Sequence, residues 1–237
     1  MTTVHSIRRS ALRLVLTLLA AGAAFAHAEI NGIQSTYNLL FAGNKIGVVS
    51  ETFKRQGDQY SIESAAHPVK LMEMLLPSLS EASRGSVTAT GLKPLYFSHR
   101  RGDDERRHQE AEFHWESAVI DLKFDGKVER RELPPLTLDA LSMKYQFQFS
   151  PPKEGESEVI VTNGKNVTSY RYRLVKEETI ETPAGKFATI HYVKVAEKGE
   201  TKLELWLAKD QHYFPVRIVA EDKGMTLEQV LAKVIFD

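Results

Sequence analysis

The chain has 237 residues, 42% of them hydrophobic and 26% charged, with 31 basic side chains against 31 acidic ones and no cysteine. The even balance argues against a nucleic-acid binder, which needs a clustered basic surface. The missing cysteine excludes disulfides, thiol chemistry and a cysteine-linked lipid, and a chain of this length buries roughly 70% of its unfolded surface without such staples.

The first segment, residues 1–28, combines Arg8, Arg9 and Arg13 with an uncharged run from Leu14 to Ala26 and small residues at Ala26 and Ala28. That is the pattern of a cleaved secretory signal peptide. The run of 13 residues is too short to span a bilayer, which takes about 20, so no transmembrane segment is expected. Arg8-Arg9 hints at a twin-arginine route, but Ala11 stands where a large apolar residue is usual, which favours general secretion. Cleavage removes three arginines and leaves 28 basic against 31 acidic side chains. The expectation is a soluble periplasmic protein of a Gram-negative cell, with residues 29–237 as one β-rich domain.

From there, short runs rich in Val, Ile, Thr, Tyr and Phe recur between turn signals: Asn44 in AGNKIG, Gly57-Asp58, Asp125-Gly126, Asn163-Gly164, Gly199 and Gly224. Asn-Gly and Asp-Gly supply the positive φ of tight hairpins, so neighbouring strands should pair antiparallel. Two segments break the rhythm. HPVKLMEMLLP, residues 67–77, is short and apolar, with Pro68 where a helix tolerates it. LTLDALSMKYQFQF, residues 136–149, fits helical and strand periods alike and predicts a helix turning into a strand. It lies between Pro134-Pro135 and Pro151-Pro152, which mark a waist near 134–152. The fold class expected is mainly β: a large antiparallel, strongly curved sheet or open β-barrel with one or two short helices.

SRGSVTATGLKPLYF (83–97), TLDALSMKYQFQF (137–149), IETPAGKFATIHYVKV (180–195) and LELWLAKDQHYFPVRI (203–218) follow one another in order. Together they resemble an exported bacterial family known only as a domain of unknown function, DUF3108. The resemblance covers nearly the whole mature chain and implies no activity. Turn chemistry explains much of it: Pro183 and Gly185 suit a hairpin corner, and Pro215, lacking an N–H, belongs at an edge, bulge or strand start.

Candidate chemistry is sparse. In HQEAEFH, His108, Glu110, Glu112 and His114 share one face of a strand and are weak candidates for a metal; the charged flank RRGDDERR argues instead for a solvated hairpin. Asp139, Ser142 and Tyr145 would share a side of a helix, but no histidine or nucleophile elbow accompanies them, and a helix cap explains them adequately. With no phosphate loop or dinucleotide fingerprint, no cofactor and no enzyme are expected. Trp206 raises a different question, since alternation sets it opposite Leu203, Leu205 and Leu207, so both faces of the sheet need cover. A helical lid from Val69 to Leu76 over an apolar concave face suggests a non-enzymatic carrier of a lipid, acyl chain or other hydrophobic ligand, by analogy of architecture. Its lining candidates are Leu71, Met72, Met74, Leu75, Tyr145 and Trp206. The alternatives are an envelope interaction protein with a filled core and a protein partner, acting through the 100–107 hairpin, and then an enzyme acting on envelope material.

Overall fold

A computed structural model describes residues 30–237; residues 1–28, expected to be a signal peptide, lie outside the described residues. From the first strand outward, β1 (Gly32–Phe41), β2 (Asn44–Gln56), β3 (Gln59–Pro68), β4 (Leu79–Thr88), β5 (Gly91–Arg101), β6 (Gln109–His114), β7 (Val119–Phe124) and β8 (Lys127–Glu132) form an antiparallel meander. The second half runs β9 (Leu138–Asp139), β10 (Glu156–Thr162), β11 (Val167–Thr182), β12 (Gly185–Lys194), β13 (Lys202–Ala208), β14 (Phe214–Asp222) and β15 (Met225–Phe236). Pairing of β1 with β15 merges the halves into one fifteen-stranded sheet, with β8 and β9 at its margins. The mainly β, strongly curved sheet expected from the sequence is what forms.

The turn residues act as their chemistry dictates. Asp125 and Gly126, at φ 52° and 71°, make the two-residue turn between β7 and β8, the conformation that Asp-Gly favours. One parallel pair departs from the antiparallel rule: Leu138 and Asp139 lie beside Val161 and Thr162. The two halves approach each other at the β10–β11 turn, which packs against β6 and β7. Gly164, at the tip of the β10–β11 turn, sits so close to β6 that an added Cβ would lie 2.9 Å from Cβ of Gln109. The ammonium of Lys165 lies 4.4 Å from the ring centre of Phe124 in β7.

The two unusual segments differ from expectation. Residues 67–77 form only one 3₁₀ turn, Lys70–Met72, since Pro68 ends β3 and Pro77 precludes continuation. In 136–149 the order is reversed: the strand β9 comes first and the helix α1 (Ser142–Gln146) follows. The reason is Asp139, whose carboxylate accepts the N–H groups of Leu141 (2.9 Å) and Ser142 (2.7 Å) and so starts a helical turn immediately after β9. The aromatic residues that suggested a strand then pack inward from a helix. Tyr145 lies between Phe53 of β2, 5.4 Å away, and Phe214 of β14, 6.1 Å away. Phe147 meets Tyr192 edge-on at 5.4 Å. The helix thus plugs the concave face, and the core gathers around it from both meanders. Among the described residues no helix is long and apolar enough to cross a membrane.

Candidate functional site

The interior is held by two buried carboxylates. Glu51, on β2 with its side chain 1% exposed, accepts hydrogen bonds from Ser64 (3.1 Å) and Tyr145 (3.1 Å) and pairs with Lys144 of α1. Burial and the Glu51 charge hold the Tyr145 phenol well above its usual range, so it is a neutral donor. Asp139 accepts from the Ser83 hydroxyl on β4 at 2.6 Å, besides its two backbone donors. Burial nevertheless pushes the Asp139 carboxyl up to about 6. Asp139 and Ser142 face each other's backbone atoms, Ser142 Oγ lying 3.0 Å from the N–H of Asp139. These groups spend their hydrogen-bonding capacity on tying the plug to β2 and β4. They are enclosed.

The six groove candidates do not share one groove. Tyr145 is fully buried in the plug. Trp206 lies on the opposite, convex side, and what covers it is a polar layer. His191 stacks on the indole at 4.2 Å, the Arg217 guanidinium sits 4.6 Å from its centre, and Glu178 accepts its N–H at 2.9 Å. Met72 is half-buried, whereas Leu71, Met74 and Leu75 are 87%, 96% and 73% exposed in the β3–β4 loop.

Behind that loop the structure opens a small apolar cavity of about 260 Å³, lined by Leu39, Ile46, Leu76, Leu79 and Leu227, with Ala66, His67, Pro68, Pro77, His99 and Arg101 completing it. Residues near the ends of β1, β2, β3, β4, β5 and β15, with the β3–β4 loop, create it at one end of the sheet. Three bulky apolar side chains exposed side by side are unusual for a protein surface that meets only water. At the cavity wall His99 pairs with Glu81 at 3.0 Å and His67 approaches Ser78 at 3.5 Å. Arg101 is exposed and has no carboxylate partner among the described residues. Sequence reading singles out the loop, and Arg101 only as part of the 100–107 hairpin, but not Ile46 or Leu227 as neighbours of the loop. Leu227, from β15, reaches the others only through β1–β15 pairing, which leaves no local signal.

Of the histidine–carboxylate run, His108 and Glu110 stay together at 3.3 Å, while Glu112 and His114 turn to other surroundings. Glu110 pairs with Lys123 at 3.2 Å, and His114 lies 3.1 Å from Asp121, which Arg130 also clamps. His108 precedes the strand and takes a 3.0 Å hydrogen bond from Arg100, while Glu112 is exposed. Among the described residues no group of three or more His, Cys, Asp or Glu is placed to hold a metal ion. The charges of the 100–107 hairpin are largely spent internally, since Asp104 pairs with both Arg106 and Arg107.

No curated protein matches the chain. Among solved structures, it is similar to a β-barrel-like protein of the DUF1849 domain of unknown function from Brucella abortus. That likeness has a TM-score of 0.58 and 8% identity and covers 88% of this chain and 99% of that one. At such identity it concerns the fold alone. Looser likenesses, at 15% identity, are to a candidate lipoprotein from Parabacteroides distasonis (TM-score 0.35, 86% of this chain and 95% of that one) and a candidate exported protein with a YmcC-like fold from Bacteroides fragilis (TM-score 0.37, 86% and 96%). The sequence profile described as Protein of unknown function (DUF3108) matches residues 36–227, and the chain belongs to that family.

Proposed function

We propose that the protein is a non-enzymatic binding protein of the cell envelope, exported by its N-terminal segment, that takes the apolar chain of an anionic amphiphile at the β3–β4 end of the sheet. The observation that carries this reading is the exposed trio Leu71, Met74 and Leu75 beside an apolar cavity. Burying each such side chain is worth about 1.5–3 kcal/mol, so the loop gains most by lying against acyl chains. The cavity accepts the end of one chain, and the unpaired Arg101 guanidinium at its wall suits a carboxylate or phosphate head. The plugged concave face is not a second ligand chamber, because Tyr145 and its neighbours occupy it.

The test is native mass spectrometry with solvent extraction on protein prepared without detergent, followed by titration with palmitate. A bound amphiphile and saturable palmitate binding are expected. Replacing Leu71, Met74 and Leu75 together by serine should weaken binding at least tenfold with little change in stability, since these side chains are already in water. Arg101→Glu should weaken palmitate while sparing a neutral long-chain alcohol. A bare polypeptide that binds neither probe would overturn the reading.

A further inference from the structure

The sheet's second margin is unfinished in a specific way. Over residues 156–162, β10 pairs with β11 along its whole length, but on its other side β9 covers only Val161 and Thr162. Hydrogen-bond direction along a strand alternates with period two. The carbonyl of Thr162 accepts the N–H of Ala140 on the β9 side at 2.9 Å, whereas the N–H of Asn163 points across the hairpin to Asn166. Ile160, Glu158 and Glu156 therefore direct their N–H and C=O groups to the β9 side; the Ile160 carbonyl is taken up by the Leu138 N–H in the short β9 pairing, but no backbone group of the described residues meets the Ile160 N–H or either group of Glu158 and Glu156 there.

The chain itself vacates this position. β9 would continue backward along β10, but Leu136 adopts φ 60° while 69% exposed, an uncommon and strained conformation for leucine. It turns residues 134–136 away from the strand. What remains is a cleft of about 740 Å³, with the β10 edge as one wall and Pro135, Leu136, Pro151 and Pro152 opposite; Leu138, Phe147 and Tyr192 line it too. None of its lining residues belongs to the apolar cavity near Leu71. The other margin contrasts sharply: β8 carries Lys127, Glu129, Arg130, Arg131 and Glu132 and is exposed throughout, the charged pattern that discourages pairing.

We propose that this cleft is a strand-addition site for an extended segment of a partner protein, which would complete the line that β9 begins. The geometry specifies the guest. Five edge residues span about 16 Å, room for a short strand. Ser157 and Val159 face the core side, as their cross-strand neighbours Tyr172 and Tyr170 show, so guest residues on that side enter a floor of Phe147, Tyr192 and Leu138. Guest residues on the other side emerge beside Glu156 and Glu158, both exposed. The matching segment alternates apolar with basic residues, and its main chain supplies the affinity. A second copy of this chain fits worse, because the proline wall stands where the next strand of a folded sheet would lie.

The probe is a blocked heptapeptide alternating lysine and valine, titrated by calorimetry, with amide exchange followed at Glu156, Glu158 and Ile160. Saturable binding below about 1 mM and slowing of those three amides by at least about tenfold are expected. The same peptide N-methylated at alternate amides keeps its side chains and should lose binding. Glu158→Pro removes an outward N–H without touching the β10–β11 ladder, so it should fold, abolish peptide binding and leave palmitate binding unchanged. Absence of binding, equal binding by the N-methylated peptide, or unchanged exchange at the three amides would overturn the proposal.

Discussion

Replacing Lys144 by methionine isolates the buried pairing that anchors the plug. Methionine keeps most of the apolar stem but leaves the Glu51 carboxylate, with its side chain 1% exposed, facing only Ser64 and Tyr145. Removing one partner of a buried pair costs about 3–5 kcal/mol, chiefly because the remaining charge is stranded. Against a total stability of about 5–15 kcal/mol, that is a large fraction. For a domain of this size it lowers the melting temperature by roughly 6–20 °C. Urea unfolding followed by circular dichroism measures the loss. Glu51→Gln in the Lys144→Met background removes the stranded charge while keeping an acceptor for the two hydroxyls, and should restore more than half of it. A single-variant loss below about 1 kcal/mol, or a double variant no more stable than the single one, would refute the claim that this pair is desolvated.

Three further outcomes follow from the geometry. Asp139 titrates at about 6 in the folded chain against 3.8 ordinarily, so between these values the folded state holds the extra proton and stability rises as pH falls. The stability of wild type relative to Asp139→Asn should rise by about 2 kcal/mol from pH 7 to pH 4; a flat difference in urea titrations contradicts the burial argument. Trp206→Ala opens the layer formed by His191 and Arg217 and should cost about 3–5 kcal/mol with palmitate affinity unaltered, whereas a loss confined to affinity would place the indole at the ligand. Gly85→Ala sets a Cβ 2.2 Å from the Lys93 carbonyl oxygen and 2.8 Å from Cα of Pro94; a loss of about 3 kcal/mol is expected, and a neutral result in thermal melts would mean that β4 and β5 separate freely at their bulge.

Much of the architecture is legible because it is local. Turn dipeptides such as Asp125-Gly126 specify hairpins within a few residues, and period-two runs specify the strands between them. The LDALS segment is legible only in composition: its helical and strand periods overlap, and the deciding interaction, Ser83 with Asp139, spans 56 positions. Trp206 misleads for a related reason. Alternation correctly sets it opposite Leu205 and Leu207, but a strand pattern cannot reveal that His191, Glu178 and Arg217 from other strands cover the ring with charged and stacked groups. The exposed loop is visible as an apolar run; its apolarity suggests burial, and only the position of Pro68 and Pro77 relative to the strands shows that it projects outward.

The place of β1 and β15 at the middle of the sheet sets an order of events for a growing chain. β1 is joined on one side by β2 as soon as the hairpin forms, but its other edge waits for residues 225–236, made after every other described strand. Throughout that interval a ten-residue strand bearing Ile33, Tyr37 and Leu39 offers unpaired backbone groups to any neighbour, the circumstance in which incomplete chains aggregate. Loss of residues 225–236 would therefore not trim a margin. It would divide the molecule along its centre and leave two long edges open at once.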